Sequence, residues 1–128
     1  MISIRRQFVG QTVVYNHVSG HYQIAMPKRQ TIECGNNVVG FVEISSVDNF
    51  HIGGPFEPGP DFSLYDDAIT AVRNLQREAE SNSDVDWIDA LETVNDYGFT
   101  LVGDGNTTKS IRDFQLDDDG FAEFKFEL

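Results

Sequence analysis

The chain has a single cysteine, Cys34, so no internal disulfide can form and the fold must rest on its own packing, as in a reducing cytosol. Positive charge is scarce. Nine Lys and Arg stand against 21 Asp and Glu, leaving a net charge of −12. That balance argues against binding nucleic acid, because duplex and single strands are polyanions gripped mainly through Lys and Arg. Anionic membrane surfaces are disfavoured for the same reason. No apolar run approaches the length of a membrane span. The start, Met1-Ile-Ser-Ile-Arg-Arg6, reads as a strand and lacks the apolar stretch of a signal peptide. These features point to a cytoplasmic protein. No nucleophile elbow, glycine-rich dinucleotide turn or His-Glu-x-x-His pattern is present, so no enzyme activity and no cofactor are expected.

What remains is a chain of 128 residues, 40% hydrophobic, which is enough for one core and one domain, 1–128. Its acidity is lopsided. Residues 1–60 carry four acids and four bases, whereas residues 61–128 carry 17 acids and five bases. Solubility requires no such asymmetry; a field of this kind attracts basic partners and speeds their encounter.

Residues 1–47 read as a strand-rich half. Segments 2–9, 11–18, 21–26, 31–34 and 38–47 are rich in Val, Ile, Tyr and Phe with partial period-two alternation. Gly10-Gln11, Ser19-Gly20 and Gly35-Asn36-Asn37 supply turns. Residues 48–62 hold three prolines and three glycines, which predicts a long loop or flap pinned by Phe50, Phe56 and Phe62. Residues 63–97 predict two helices. The first opens at a Ser63-x-x-Asp66 capping pattern, with an apolar stripe of Leu64, Ala68, Ala71, Val72, Leu75 and Ala79. The second runs from about Asp84 to Tyr97 and closes at Gly98, with Trp87, Ala90, Leu91, Val94 and Tyr97 inward. Asp89, Glu92 and Asp96 recur at i, i+3 and i+7 on its opposite, solvent-facing side. Residues 99–128 return to strands at 99–103, 109–116 and 121–128, the last two joined by a hairpin turn at Asp117-Asp-Asp-Gly120. The order predicts an α+β domain: a mainly antiparallel sheet with two consecutive helices packed on one face.

Three local patterns fail as chemical motifs. Gly103-Asp-Gly-Asn-Thr-Thr-Lys-Ser110 resembles a phosphate loop in outline. However, Thr108 stands where a glycine should precede the lysine, and a strand follows where a helix is required. Asp117–Gly120 resembles a calcium loop, but Gln115 and Phe126 occupy positions that need acidic ligands. His17, His21, His51 and Cys34 have no zinc spacing, so no metal is expected. A His51 general base oriented by Glu57 or Asp61 has nothing in the sequence to bring it together. Trp87 reads either as an interface anchor or as core packing, and its place in the inward stripe favours the core.

The candidate partner-binding residues are therefore the acids Asp84, Asp86, Asp89, Glu92, Asp96, Asp104, Asp117, Asp118 and Asp119. In size, acidity, α+β order and the closing stretch Ile111-Arg-Asp-Phe-Gln-Leu-Asp-Asp-Asp-Gly-Phe-Ala-Glu-Phe-Lys-Phe126, the chain resembles bacterial toxin-immunity proteins of the contact-dependent growth inhibition and polymorphic-toxin type. The resemblance implies a cognate basic toxin domain as partner, a tRNA- or DNA-cleaving nuclease, bound and neutralised without direct contact to nucleic acid or membrane. The alternative is a phage-encoded acidic mimic of nucleic acid that inhibits a host defence nuclease. Its acids should be spaced as an extended phosphate ladder.

Overall fold

The computed structural model describes the backbone of residues 5–8, 11–16, 21–24, 29–48 and 51–127, and the side chains from residue 29 onward other than Asp104. Ten strands form one antiparallel system: β1 (Arg5–Phe8), β2 (Gln11–Asn16), β3 (His21–Ile24), β4 (Arg29–Cys34), β5 (Asn37–Glu43), β6 (Ser46–Asp48), β7 (His51–Pro58), β8 (Thr100–Val102), β9 (Thr108–Leu116) and β10 (Phe121–Phe126). Two helices, α1 (Asp66–Ala79) and α2 (Ile88–Asp96), lie between β7 and β8. The expected α+β class with a mainly antiparallel sheet is what the chain adopts. That the sheet closes on itself goes beyond the expectation. Strands β5, β4, β8, β9, β10 and β7 pair in that order, and β7 pairs back to β5, so six strands close into a barrel. Strands β1, β2, β3 and β6 continue the sheet sideways from the first half of β7. The turns expected at Gly10 and Ser19-Gly20, with His17 and Phe50, lie outside the described residues.

A correction concerns 48–62, expected as a loop. Residues 51–58 are instead strand β7, which makes the closure possible. Its Gly-Gly-Pro run is what the closure requires. The strand formed by β5 and β6 is interrupted at Ile44-Ser45, and a Cβ on Gly54 would lie 1.9 Å from the Glu43 carbonyl oxygen, so only glycine lets the two backbones cross. Ser45 N–H donates to the Gly53 carbonyl and Phe56 N–H to the Gly120 carbonyl, so by alternation Pro55 faces that interruption, where no ladder donor is needed. The glycines and proline that read as loop punctuation thus mark a bulged bend inside a paired strand.

Ile32, Val42, Ile44, Leu101, Phe114 and Phe124 are fully buried in one cluster with Ile69 and Val72 of α1 and Leu91 and Val94 of α2. Aromatic edges tie it together: Phe114 meets Phe56 at 5.5 Å and Phe99 at 5.7 Å, and Tyr65 meets Phe99 at 5.3 Å between ring centroids. The inward stripe of α1 differs from the expectation. Tyr65, Ile69 and Val72 are buried, whereas Leu64 is 61% exposed. The Ser63 capping pattern does not form either. Residues 62–64 make a separate 3-10 turn and α1 starts behind Tyr65, with Thr70 Oγ1 donating to Asp66 Oδ1 at 3.0 Å. The second helix begins four residues later than expected, at Ile88, because a turn at Ser83-Asp84 and an irregular stretch over 85–87 precede it.

Candidate partner-binding surface

From Glu78 to Thr108 the chain carries eight acids and no Lys or Arg. This stretch leaves the end of α1, passes through the 80–87 connection and runs along α2, which packs on β9 through buried Leu91 and Val94. Burying those two residues turns Asp89, Glu92 and Asp96 outward, and all three are exposed, as are Asp84 and Asp86 in the connection before α2. Asp86 also has a local role: its Oδ1 accepts the Ile88 N–H at 2.9 Å, satisfying one of the orphan donors at the start of α2. None of these five carboxylates makes an ion pair among the described residues.

The other four candidates are placed differently. Asp117 holds its own turn, its Oδ1 accepting the N–H groups of Asp119 and Phe121, both at 2.9 Å, while Gly120 takes the left-handed conformation at φ 81°. Asp118 is neutralised internally by Arg73, at 3.1 Å, and by Arg77, which fasten the β9–β10 turn to α1 across a groove of about 510 Å³. Asp119 is exposed beside it. Asp104 sits in the loop before β9, whereas Asp117 to Asp119 follow it, and nine residues of extended chain separate the two ends by about 30 Å. The set expected to act together thus divides. Asp84, Asp86, Asp89, Glu92 and Asp96 share one continuous segment. Asp117 and Asp118 serve the fold, and Asp104 lies at the far end of β9.

One contact that sequence reasoning missed fixes α2 in place. Within β9, Asp113 has φ 57°, and two residues of β9, Asp113 and Phe114, fall opposite Phe124 where the register slips. Asn95 of α2 reads this bulge with both halves of its amide: Oδ1 accepts the Asp113 N–H at 2.6 Å and Nδ2 donates to Asp113 Oδ1 at 2.9 Å. The Asp113 carboxylate also faces Lys125 at 3.6 Å and Arg112 at 3.8 Å. No spacing in the sequence signals this pairing, because it joins a helix C-terminus to a strand bulge 18 residues later.

Beside the start of α2 lies a second depression of about 330 Å³, bordered by Trp87, Ile88, Leu91 and Phe124. Trp87 is only half-buried. It stands at the N-cap position of α2 and packs against the core from its edge, so the core reading holds in part. Tyr97, also expected inward, is 38% exposed, although its ring meets Tyr65 at 4.9 Å between centroids. At the other end of α2, Cys34 Sγ donates to the Tyr97 carbonyl at 3.1 Å and Asn37 Nδ2 to the Tyr65 hydroxyl at 2.9 Å. The neighbouring Cys34 side chain raises the Tyr65 phenol above its ordinary value, with a smaller push from burial; Asn37 opposes both.

Among the described residues no three His, Cys, Asp or Glu side chains are grouped to hold a metal ion, and no helix is long and apolar enough to cross a membrane. Comparison with protein-family models, curated proteins and solved structures returned no match.

Proposed function

We propose that this chain is an immunity-type inhibitor that binds a basic toxin domain, a nuclease, and acts in the cytoplasm without catalysis of its own. The observation that carries the reading is the exposed carboxylate row of α2 and its leading turn, Asp84, Asp86, Asp89, Glu92 and Asp96, set in 31 residues without a Lys or Arg. Like charges at helical i, i+3 and i+4 spacing cost a few tenths of a kcal/mol per pair. A row kept unrelieved against that cost is suited to a cationic protein surface, where it accelerates encounter and occupies the Arg and Lys side chains that would hold nucleic acid. The size, acidity and α+β order shared with immunity proteins support the same reading. From Asp89 to Asp96 the row is only about 10 Å long at the rise of an α-helix. Duplex DNA repeats its charges over whole helical turns, so the length favours a compact protein footprint over an extended phosphate mimic.

The test is co-expression with the toxin domain encoded by the neighbouring gene. The unaltered chain restores growth, and the triple variant Asp89→Lys, Glu92→Lys, Asp96→Lys, at equal expression, does not. Undiminished protection by the triple variant refutes the proposal.

A further inference from the structure

The carboxylate row explains fast encounter but not tight binding, since exposed charge pairs contribute little to affinity. The groove at the start of α2 supplies what the row lacks. Ile88 is 47% exposed, one of three large hydrophobic residues left open among the described residues, and it stands on the wall of the depression beside half-buried Trp87. Buried Leu91 and Phe124 form the rest of its apolar surface. Exposed Glu123 stands on its wall with no ion pair among the described residues, and the exposed carboxylates of Asp86 and Asp89 flank Ile88 in sequence, so the surroundings are acidic. Lys125, the lysine on this wall, is engaged by Asp113 at 3.6 Å, so it leaves the rim acidic.

Building on the proposed function, we infer that the Trp87–Ile88 groove is the anchor pocket of the interface. It receives one aliphatic side chain of the partner protein, presented from a segment whose neighbouring residues are Arg or Lys. Charge complementarity selects this occupant: an apolar side chain flanked by acids would meet the rim carboxylates at like charge, and one flanked by small neutral residues would leave them unmatched. The depression, of about 330 Å³, has room for one large aliphatic side chain of a partner. Tryptophan beside an open aliphatic residue in a concave setting is also the composition that concentrates binding energy at interfaces.

Trp87 is the chain's single tryptophan, so its fluorescence reads the groove directly. The probes are three capped peptides: Arg-Arg-Leu-Arg-Arg, the same peptide with Ala for Leu, and the same peptide with Glu for every Arg. The Leu peptide is expected to give a saturable emission change at low salt. The Ala peptide should bind at least tenfold more weakly, and the Glu peptide should give no change. Ile88→Asp, whose site is already exposed, should keep the far-ultraviolet dichroism and melting temperature of the unaltered chain and weaken the Leu peptide at least tenfold. Equal responses to the Leu and Ala peptides, a response that survives Ile88→Asp, or no saturable response at all each overturn the inference. In the growth assay, full protection by Ile88→Asp together with loss in the row-reversal variant removes the anchor and leaves the proposed function standing. Protection unaffected by either change removes the proposed function itself.

Discussion

Replacing Asn95 by Ala probes how α2 is held against the barrel. The substitution deletes two hydrogen bonds to Asp113, at 2.6 and 2.9 Å, and leaves the Asp113 N–H without its acceptor in a site where the side chain is only 18% exposed. One bond is neutral and the other reaches a carboxylate, so their loss costs about 2.5 kcal/mol in total. Ala is the better helix former, which returns about 0.6 kcal/mol. The expected net loss is about 2 kcal/mol, read as a lower urea midpoint at unchanged slope and as a melting temperature lower by about 8 °C. The left-handed Asp113 adds a second arm to the experiment. At φ 57° a non-glycine residue carries about 1 kcal/mol of strain that Gly does not. In the Asn95→Ala background, Asp113→Gly should therefore recover part of the loss, whereas in the unaltered chain it should not stabilise, because it discards the Lys125 and Asn95 contacts. A loss below 0.5 kcal/mol for Asn95→Ala, or additive effects in the double variant, would refute the claim that these two residues lock the helix to the bulge.

Other substitutions test the remaining links. Gly54→Ala places a Cβ 1.9 Å from the Glu43 carbonyl, so it should cost at least about 3 kcal/mol or prevent folding, measured by urea unfolding of whatever soluble protein is obtained. Glu92→Lys sets a cation three residues after Asp89 and four before Asp96, so melting should show equal or slightly raised stability, by a few tenths of a kcal/mol, while the proposed function predicts weaker protection in the co-expression assay. Asp118→Asn breaks pairs whose acid is 65% exposed, so equilibrium unfolding should register less than about 1 kcal/mol. Tyr65 titrates above the ordinary tyrosine value in the folded chain, so its contribution to stability is complete below pH 10 and is lost as pH rises through its folded value. Ultraviolet titration should show a late-ionising tyrosine, and Cys34→Ala should bring that ionisation to lower pH.

Much of the local structure was legible because it is written in short-range rules. The β9–β10 turn follows from Asp117 and Gly120, and the outward side of α2 from the spacing of Asp89, Glu92 and Asp96 against Leu91 and Val94. The barrel was not legible, because its closing step pairs Val42 with Phe56 through a strand whose Gly53-Gly54-Pro55 imitates a loop. Composition reports how readily a backbone bends; it does not report that another backbone passes across the bend. The division of the acids was hidden for a related reason. Asp118 looks like its neighbours in sequence, and only the approach of Arg73 and Arg77 from a helix some forty residues earlier removes it from the free set. Trp87 fell into a regular inward stripe, but residues 85–87 stay outside the helix, which starts at Ile88, and the ring packs at the edge of the core.

The six closed strands and both helices all lie after residue 28, and β3 joins them by pairing with β6 at Tyr22–Val47 and Gln23–Ser46. The acid-bearing helix and its adjoining cleft thus stand on a contiguous stretch of sequence that makes a complete hydrogen-bonded ring by itself.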